Sequence, residues 1–163
     1  FYLLKEAKLL SAEALKQPHN LGKGTILQQS ADDYFFGGNQ NWQNFIQDHY
    51  DNFYCRYLAT QKIRAGREFS ALPNRRKLRI ALRSLNQIDW IYSLENLSVL
   101  EDDLNALYGF DLNFNQNQTN AGDRPVTEPR WPRLMEALER DQSKLRLEEF
   151  VALDLALMDR LEL

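Results

Sequence analysis

The stretch Ile88-Asp89-Trp90-Ile91-Tyr92 decides the predicted fold, because it is the one convincing strand pattern in the chain. It is short and rich in β-branched and aromatic side chains, which favour strands. Helical patterns precede it at about 74–86 and follow it at about 95–108, and this alternation is typical of an α/β domain. One strand cannot form a sheet. We therefore expect a short strand of a parallel sheet near 88–93, with partner strands contributed by chain upstream of this sequence.

The helix before this strand is basic on one side. Its apolar positions recur at helical spacing and are expected to be buried: Leu78, Ala81, Leu82 and Leu85. Its cationic residues are Arg75, Arg76, Lys77, Arg79 and Arg83. Such a run is usually a solvated helix face. The functional alternative is a platform for an anionic polysaccharide or for donor phosphates, since the guanidinium fork matches sulfate, phosphate and carboxylate oxygens.

The clearest periodicity predicts one helix from about residue 41 to 60. Its apolar stripe at steps of three and four is expected to be core: Trp42, Phe45, Ile46, Tyr50, Phe53, Tyr54, Tyr57 and Leu58. Asp48, Asn52 and Arg56 follow one another at steps of four off that stripe, so they are expected to share another face of the same helix.

Weaker patterns predict the remaining helices. One runs from residue 1 to about 17 and is ended by Pro18, Gly22 and Gly24. A short one spans 31–36, with Ser30 and Asp33 spaced like a capping box. Two more close the chain near 131–140 and 147–161, after a polar loop at 110–129. Residues 1–163 are read as a single domain.

Composition excludes several classes of function. The net charge of -3 argues against a chain-wide basic surface for nucleic acid. The single cysteine, Cys55, allows neither an intramolecular disulfide nor a multi-cysteine zinc site. No apolar run approaches the roughly 18 residues of a membrane span. No phosphate-binding glycine loop or dinucleotide motif occurs, and His19 and His49 are unsupported as a metal pair. His49 is expected to be a packed or partly exposed helix residue, and Cys55 a neutral thiol.

Three segments together resemble the membrane-type, carbohydrate-directed sulfotransferases, especially the heparan-sulfate 6-O-sulfotransferases and their bacterial relatives. Residues 51–58, Asp-Asn-Phe-Tyr-Cys-Arg-Tyr-Leu, are similar to the family's Asn-x-x-x-Arg-x-Leu helix. Residues 88–108 resemble its passage in which a strand ends in a Glu, here Glu95, before a Leu-rich helix. Residues 117–121, Asn-Gln-Thr-Asn-Ala, resemble an Asn-Ser-Thr-Arg-Ala loop, and 154–158 resemble the terminal Asp-x-x-Leu-Tyr helix.

The resemblance implies the C-terminal part of an α/β, P-loop-NTPase-like sulfotransferase domain, mainly helical in this portion and truncated at its N-terminus. It implies transfer of a sulfuryl group from the co-substrate PAPS to a hydroxyl of a carbohydrate acceptor, without a metal. The family's catalytic base and main donor loops lie upstream, so no catalytic residue is assigned and this chain alone is expected to be inactive. Two departures stand out: Asn120 replaces the family's loop Arg, and Met158 its terminal Tyr.

Two sets of site residues follow from the resemblance. The loop would approach the donor PAPS or its product PAP through Asn117, Thr119, Asn120 and Arg124, with Arg124 substituting for the missing Arg. The trio Asp51, Asn52 and Arg56 would face the glycan acceptor. Each set has an ordinary alternative, because long Asn-rich loops are often merely solvated and Arg56 across one helical turn from Asn52 or Asp48 is common surface chemistry.

Two other functions remain open beside the sulfotransferase. One is a non-catalytic helical module that binds an anionic glycan or protein partner, and the other is a degenerate sulfotransferase-like domain that only binds anionic glycans. Neither nucleic acid nor a membrane is expected as a partner of this segment. The lack of disulfides and of an anchor favours a bacterial cytoplasm. In a eukaryote the Golgi lumen is expected instead, where the sequons at Asn96 and Asn117 would matter.

Overall fold

The computed structural model describes residues 6–93, 97–114 and 130–161. Residues 6–8 are helical, and a 3₁₀ turn at Pro18–Asn20 precedes the second labelled helix. The helices are α1 Ala12–Leu15, α2 Leu21–Gln28, α3 Ala31–Phe36, α4 Gln40–Tyr50, α5 Phe53–Thr60, α6 Gly66–Ser70, α7 Asn74–Leu85, α8 Leu97–Tyr108, α9 Arg130–Glu136 and α10 Asp141–Met158.

The predicted α/β fold is wrong, because the described ranges contain helices and connecting chain but no strand. After α7 the chain makes two turn hydrogen bonds, the second from the Ile88 N–H to the Leu85 carbonyl, and then runs through 88–93 without a ladder. Ile91 packs against the α7 core while Trp90 is 53% exposed. Extended residues become a strand only when a neighbouring backbone pairs with them, and the described chain brings none to this segment.

The N-terminal helix prediction also needs correction. The helical turn at 6–8 ends before α1, and Gly22 and Gly24 lie inside α2 rather than stopping a helix. Gly24 is buried, and a Cβ placed there would lie 3.2 Å from the Leu15 carbonyl oxygen. Gly24 therefore serves the close approach of α2 to the end of α1, which a glycine allows as readily as it allows a turn.

The predicted helix at 41–60 is in fact two helices, α4 and α5, separated at Asp51-Asn52. Asn52 has a φ of 45°, in the left-handed region, which Asn tolerates better than most residues. The apolar stripe predicted to be core is not buried along its whole length. Ile46 in α4 is fully buried, whereas Tyr54 and Tyr57 in α5 are 54% and 44% exposed.

Two apolar clusters form the core, and α10 contributes to both. The first joins α3, α4 and α10 through Tyr34, Phe35, Ile46, Leu138 and Leu147. The second joins α5, α6, α7 and α10 through Cys55, Phe69, Ala81, Leu85 and Leu157. The predicted burial of one side of α7 is confirmed. Within the described ranges no helix combines the length and the apolarity needed to cross a bilayer.

Candidate functional site

Asn52 joins the α4–α5 break to the middle of α10. Its side-chain amide donates to the Glu149 carbonyl at 3.0 Å, and its side-chain oxygen accepts from the Leu153 N–H at 2.7 Å. Those two backbone groups lie four residues apart, the spacing that an α-helix joins directly. The Asn52 N–H also donates to the Phe150 carbonyl. The left-handed residue is thus docked onto one turn of α10 by its backbone and its side chain together.

Arg56 closes the C-terminus of α4 from within α5. It is 1% exposed, and its guanidinium donates to the carbonyls of Gln47 and Asp48 in the last turn of α4 and to that of Asp51 at 2.7 Å. The last carbonyls of a helix have no partner within it, and a cation there also complements the helix dipole. Burial lowers the pKa of Arg56, while the charges of nearby carboxylates oppose that shift.

Asp154 performs the complementary task at the N-terminus of α5. Its carboxylate accepts from the Cys55 N–H at 2.7 Å and from the Tyr54 N–H at 3.2 Å, whereas the Asn52 side chain makes no cap bond to its own helix. Burial raises the pKa of Asp154, and hydrogen bonds from those two N–H groups act against it. Burial and the Asp154 charge raise the pKa of Cys55 to about 12, which leaves a neutral thiol.

The same device recurs at two other helix N-termini. Asp48 accepts from the Gly66 N–H at 2.9 Å, at the start of α6. Asp32, 2% exposed, accepts from the Glu139 N–H at 2.7 Å and from the Arg140 side chain at 3.1 Å, just before α10. Burial alone would raise the pKa of Asp32, but hydrogen bonds from Ser143, Glu139 and Arg140 lower it to about 2.

The residues predicted to face an acceptor therefore lie in and around a buried network. Asn52 and Arg56 are 5% and 1% exposed and bond mainly to backbone groups. They are brought together with Asp51, whose carboxylate accepts from the Asn52 amide at 2.8 Å, but not by the continuous helix that was predicted. A contact of this trio with an acceptor stays a prediction. The donor residues Asn117, Thr119, Asn120 and Arg124 lie outside the described residues.

Four of the cationic side chains of α7 form an exposed charged surface. We define the arginine face as Arg75, Arg76, Arg79 and Arg83, all of which are exposed. None of the four makes an ion pair with a described carboxylate. Lys77 is set apart from them, since its ammonium lies 4.8 Å from the centre of the Phe69 ring and donates to Asn74. The exposure of these four arginines agrees with both interpretations of the run, a solvated face and a platform for anions.

Other candidate groups have local partners. His49 is exposed at the end of α4, where its ring packs on Phe45 and its Nδ1 contacts the Phe45 carbonyl at 2.8 Å. It is therefore a helix residue, as predicted, and it is exposed rather than packed in the core. Among the residues with described positions, no group of three His, Cys, Asp or Glu side chains is placed to hold a metal ion.

Comparisons with protein-family models, with curated proteins and with solved structures found no match to this chain.

Proposed function

We propose that this protein binds an anionic polysaccharide through the arginine face of α7. The observation that carries the proposal is the presence of four exposed guanidinium groups on one helix without a carboxylate partner in the described structure. Exposed cations are commonly balanced by nearby acids, as Lys62 is by Glu68 at 2.9 Å. An array that the chain itself leaves unbalanced is suited to anions supplied from outside.

The spacing of the four arginines supports a linear ligand. At 3.6 residues per turn they fall within an arc of about 100°, and eight residues of helix separate the first from the last by about 12 Å. The opposite side of α7 is fixed in the core by Ala81 and Leu85. The row of charges is therefore held by a rigid element, which lowers the entropy lost on binding.

The chemistry of the row favours sulfate or carboxylate groups. Guanidinium binds such oxyanions in a bidentate manner and is more weakly hydrated than an ammonium. Basic clusters of this length are a general pattern for heparin-like and nucleic-acid ligands. The net charge of -3 leaves no chain-wide basic surface for nucleic acid. Nucleic-acid bases stack on aromatic side chains, and no aromatic residue is among the four of the arginine face. A sulfated or carboxylated polysaccharide is therefore the proposed ligand.

A second proposal is sulfuryl transfer from PAPS to a carbohydrate acceptor, for which the polysaccharide would be the substrate. The sequence patterns of residues 51–58 and 154–158 support it, whereas the strand expected within 88–108 is not formed in the described chain. These two segments are also neighbours in space, since Asn52 of residues 51–58 bonds to α10 and Asp154 of residues 154–158 caps α5. The binding proposal does not depend on this second one.

The test is calorimetric titration of a heparin-type polysaccharide into the wild type and two matched double variants. Arg79→Ala/Arg83→Ala removes two charges from the arginine face, and Lys8→Ala/Lys16→Ala removes two exposed charges from the N-terminal helices. We expect affinity to fall by about tenfold or more in the first variant, as two charge contacts imply. The second should bind like the wild type, and the salt dependence of binding should weaken only in the first.

Equal losses in both variants, or no binding by the wild type, would overturn the proposal. Tighter binding of a DNA duplex than of the polysaccharide at equal salt would assign the face to nucleic acid instead. Titration of PAP into this chain and into an upstream-extended form addresses the second proposal. Binding by the extended form supports a sulfotransferase, and its absence there removes that proposal.

A further inference from the structure

A polar cleft of about 550 Å³ lies between α4 and α6, and its described lining contains no residue of α7. Three amide side chains form the α4 wall, and the other wall comes from the chain leading into α6 and from α6 itself. We propose that this cleft binds one acidic sugar unit, a hexuronate or a sulfated hexose, as a second subsite for the polysaccharide; this inference rests on the proposed function. The side chains that carry it are Gln40, Asn44, Gln47, Arg64, Arg67 and Asp48.

The amide wall supplies paired donors and acceptors. Gln40, Asn44 and Gln47 follow at steps of four and three, so they share one face of α4. The Gln40 side chain donates to the Asn44 side-chain oxygen at 3.0 Å, which leaves the Asn44 amide hydrogens for a ligand. Amide groups both donate and accept, and sugar hydroxyls do the same. This wall therefore suits a ligand rich in neighbouring hydroxyls.

The floor of the cleft is held in place by the cap at α6. Asp48 accepts from the Gly66 N–H through one oxygen at 2.9 Å. Its carboxylate has further acceptor capacity, and hydroxyl donors of a ligand match that capacity. Gly66 allows this close packing, because a Cβ there would lie 3.0 Å from the same Asp48 oxygen. The carboxylate is thus positioned before a ligand arrives.

The opposite wall supplies positive charge. Arg64 and Arg67 are exposed, and neither is paired with a carboxylate in the described chain. The nearby Glu68 is already bound by both oxygens to Lys62, at 2.9 Å each. These two guanidiniums have no described carboxylate partner and lie beside the amide wall, which suits hydroxyl groups. Together the two walls favour a ligand that carries hydroxyls and one anionic group.

The size and polarity of the cleft set the ligand class. A volume of about 550 Å³ falls within the range of small-ligand sites, and Ala65 is the one hydrophobic residue in its described lining. A single acidic sugar offers hydroxyls for the amides and Asp48 and an anionic group for the arginines. Sequence reasoning missed this site, although the amide spacing at 40, 44 and 47 was its visible signal.

The experiment uses short probes, so that the cleft is tested apart from the polymer. A sulfated, uronate-containing disaccharide and its uncharged counterpart are titrated into the full chain and followed by NMR of the side-chain amides. We expect the charged probe to shift the amide signals of Gln40, Asn44 and Gln47. The uncharged probe should bind with an affinity lower by about tenfold or more. The affinity of Arg64→Ala/Arg67→Ala for the charged probe should be lower than that of the wild type by about the same factor.

The controls separate this inference from the proposed function. Lys8→Ala/Lys16→Ala should leave disaccharide affinity unchanged, because these exposed residues lie outside the cleft and the arginine face. Asn44→Ala should weaken disaccharide binding without removing a charge. Shifts confined to the arginine face, or equal binding of the charged and uncharged probes, would overturn the acidic-sugar subsite with the arginine face intact. Failure of the polysaccharide to bind the wild type, with the disaccharide bound in the cleft, would overturn the proposed function alone.

Discussion

The buried Arg56 and the exposed arginine face show two uses of one residue type within about 30 residues of chain. Arg56 is 1% exposed and has its guanidinium on backbone carbonyls at the end of α4. The arginines of α7 are exposed and make no ion pair with a described residue. Arg56 follows Asp48 and Asn52 at steps of four, and the arginines of α7 also recur at helical spacing. Spacing alone therefore does not distinguish a buried arginine from an exposed one. The difference lies in what each side chain reaches: helix-terminal carbonyls in one case and solvent in the other.

Loss of Arg56 should have the largest effect on stability. Arg56→Ala leaves the partly buried carbonyls of Gln47, Asp48 and Asp51 without this donor and opens a cavity, so we expect a loss of about 4 kcal/mol in the free energy of unfolding. Urea denaturation followed by circular dichroism measures it. The matched exposed control is Arg160→Ala, which should change the value by less than about 0.5 kcal/mol. Similar small effects for both variants would show that Arg56 does not hold the end of α4.

Loss of the Asn52 side chain should come next. Asn52→Ala removes the bonds to Glu149 and Leu153 and places a Cβ-bearing residue without a polar side chain at a φ of 45°. We expect a loss of about 3 kcal/mol by the same denaturation assay. Asn52→Gly keeps the backbone conformation and removes the same bonds, so it should be less damaging by about 1 kcal/mol. Equal effects of the two substitutions would assign no role to the left-handed conformation.

Asp32 should give the protein a distinctive acid response. Its pKa is lowered to about 2 by hydrogen bonds at the start of α10. A carboxylate with a lowered pKa stabilises the fold above the ordinary aspartate pKa, and this contribution is lost as pH falls towards the lowered value. We expect Asp32→Asn to cost about 2 kcal/mol at pH 7. The difference between the wild type and this variant should shrink as pH falls from about 4 towards 2.

This difference must be measured at each pH, because other carboxyls shift in the opposite direction. Burial raises the pKa of Asp51 and of Asp154. Each of these carboxylates therefore destabilises the fold while it is charged, and this penalty decreases as pH falls and the carboxyl becomes protonated. Subtracting the Asp32→Asn curve from the wild-type curve cancels those contributions. A difference that stays constant from pH 7 to 2 would contradict the role of Asp32 as a charged cap.

The smallest expected effect is on the arginine face. Arg79→Ala/Arg83→Ala removes side chains that contact no described carboxylate and lie outside the core, so the free energy of unfolding should change by less than about 0.5 kcal/mol. The denaturation assay used for Arg56→Ala gives the value. A loss above 1 kcal/mol, on the order of a structural contact, would mean that these arginines serve the fold rather than a ligand.

Much of the local structure was predictable from the sequence. The helix α7 ends at Leu85, within one residue of the end predicted from the spacing of its apolar residues. The Ser30 cap of α3 is confirmed by its bond to the Asp33 N–H at 3.2 Å. Gly109 follows α8 in the left-handed conformation, with a φ of 67°, as is common for a glycine just after a helix. Each of these features depends on residues a few positions apart in the sequence, so the sequence pattern alone is enough to predict it.

The failures share the opposite property. The break at Asn52 is fixed by α10, about 100 residues away in sequence, so the continuous apolar spacing through 41–60 concealed it. The Asp51-Asn52 pair, two residues that favour turns, was the available signal. The strand at 88–92 failed because its composition permits an extended chain but does not supply a partner. The cleft between α4 and α6 depends on two segments that only the fold brings together.

The polar bonds to α10 also bear on how the chain folds during synthesis. Asn52 bonds to Glu149 across 97 residues, and Asp32 bonds to Glu139 across 107. During synthesis Asp32 of α3 and Asn52 before α5 therefore lack these partners until residues 139–153 have left the ribosome. Contacts of such long sequence separation slow folding. The contacts of α3 and of the α4–α5 break with this part of the chain can therefore form only after α10 has been synthesised.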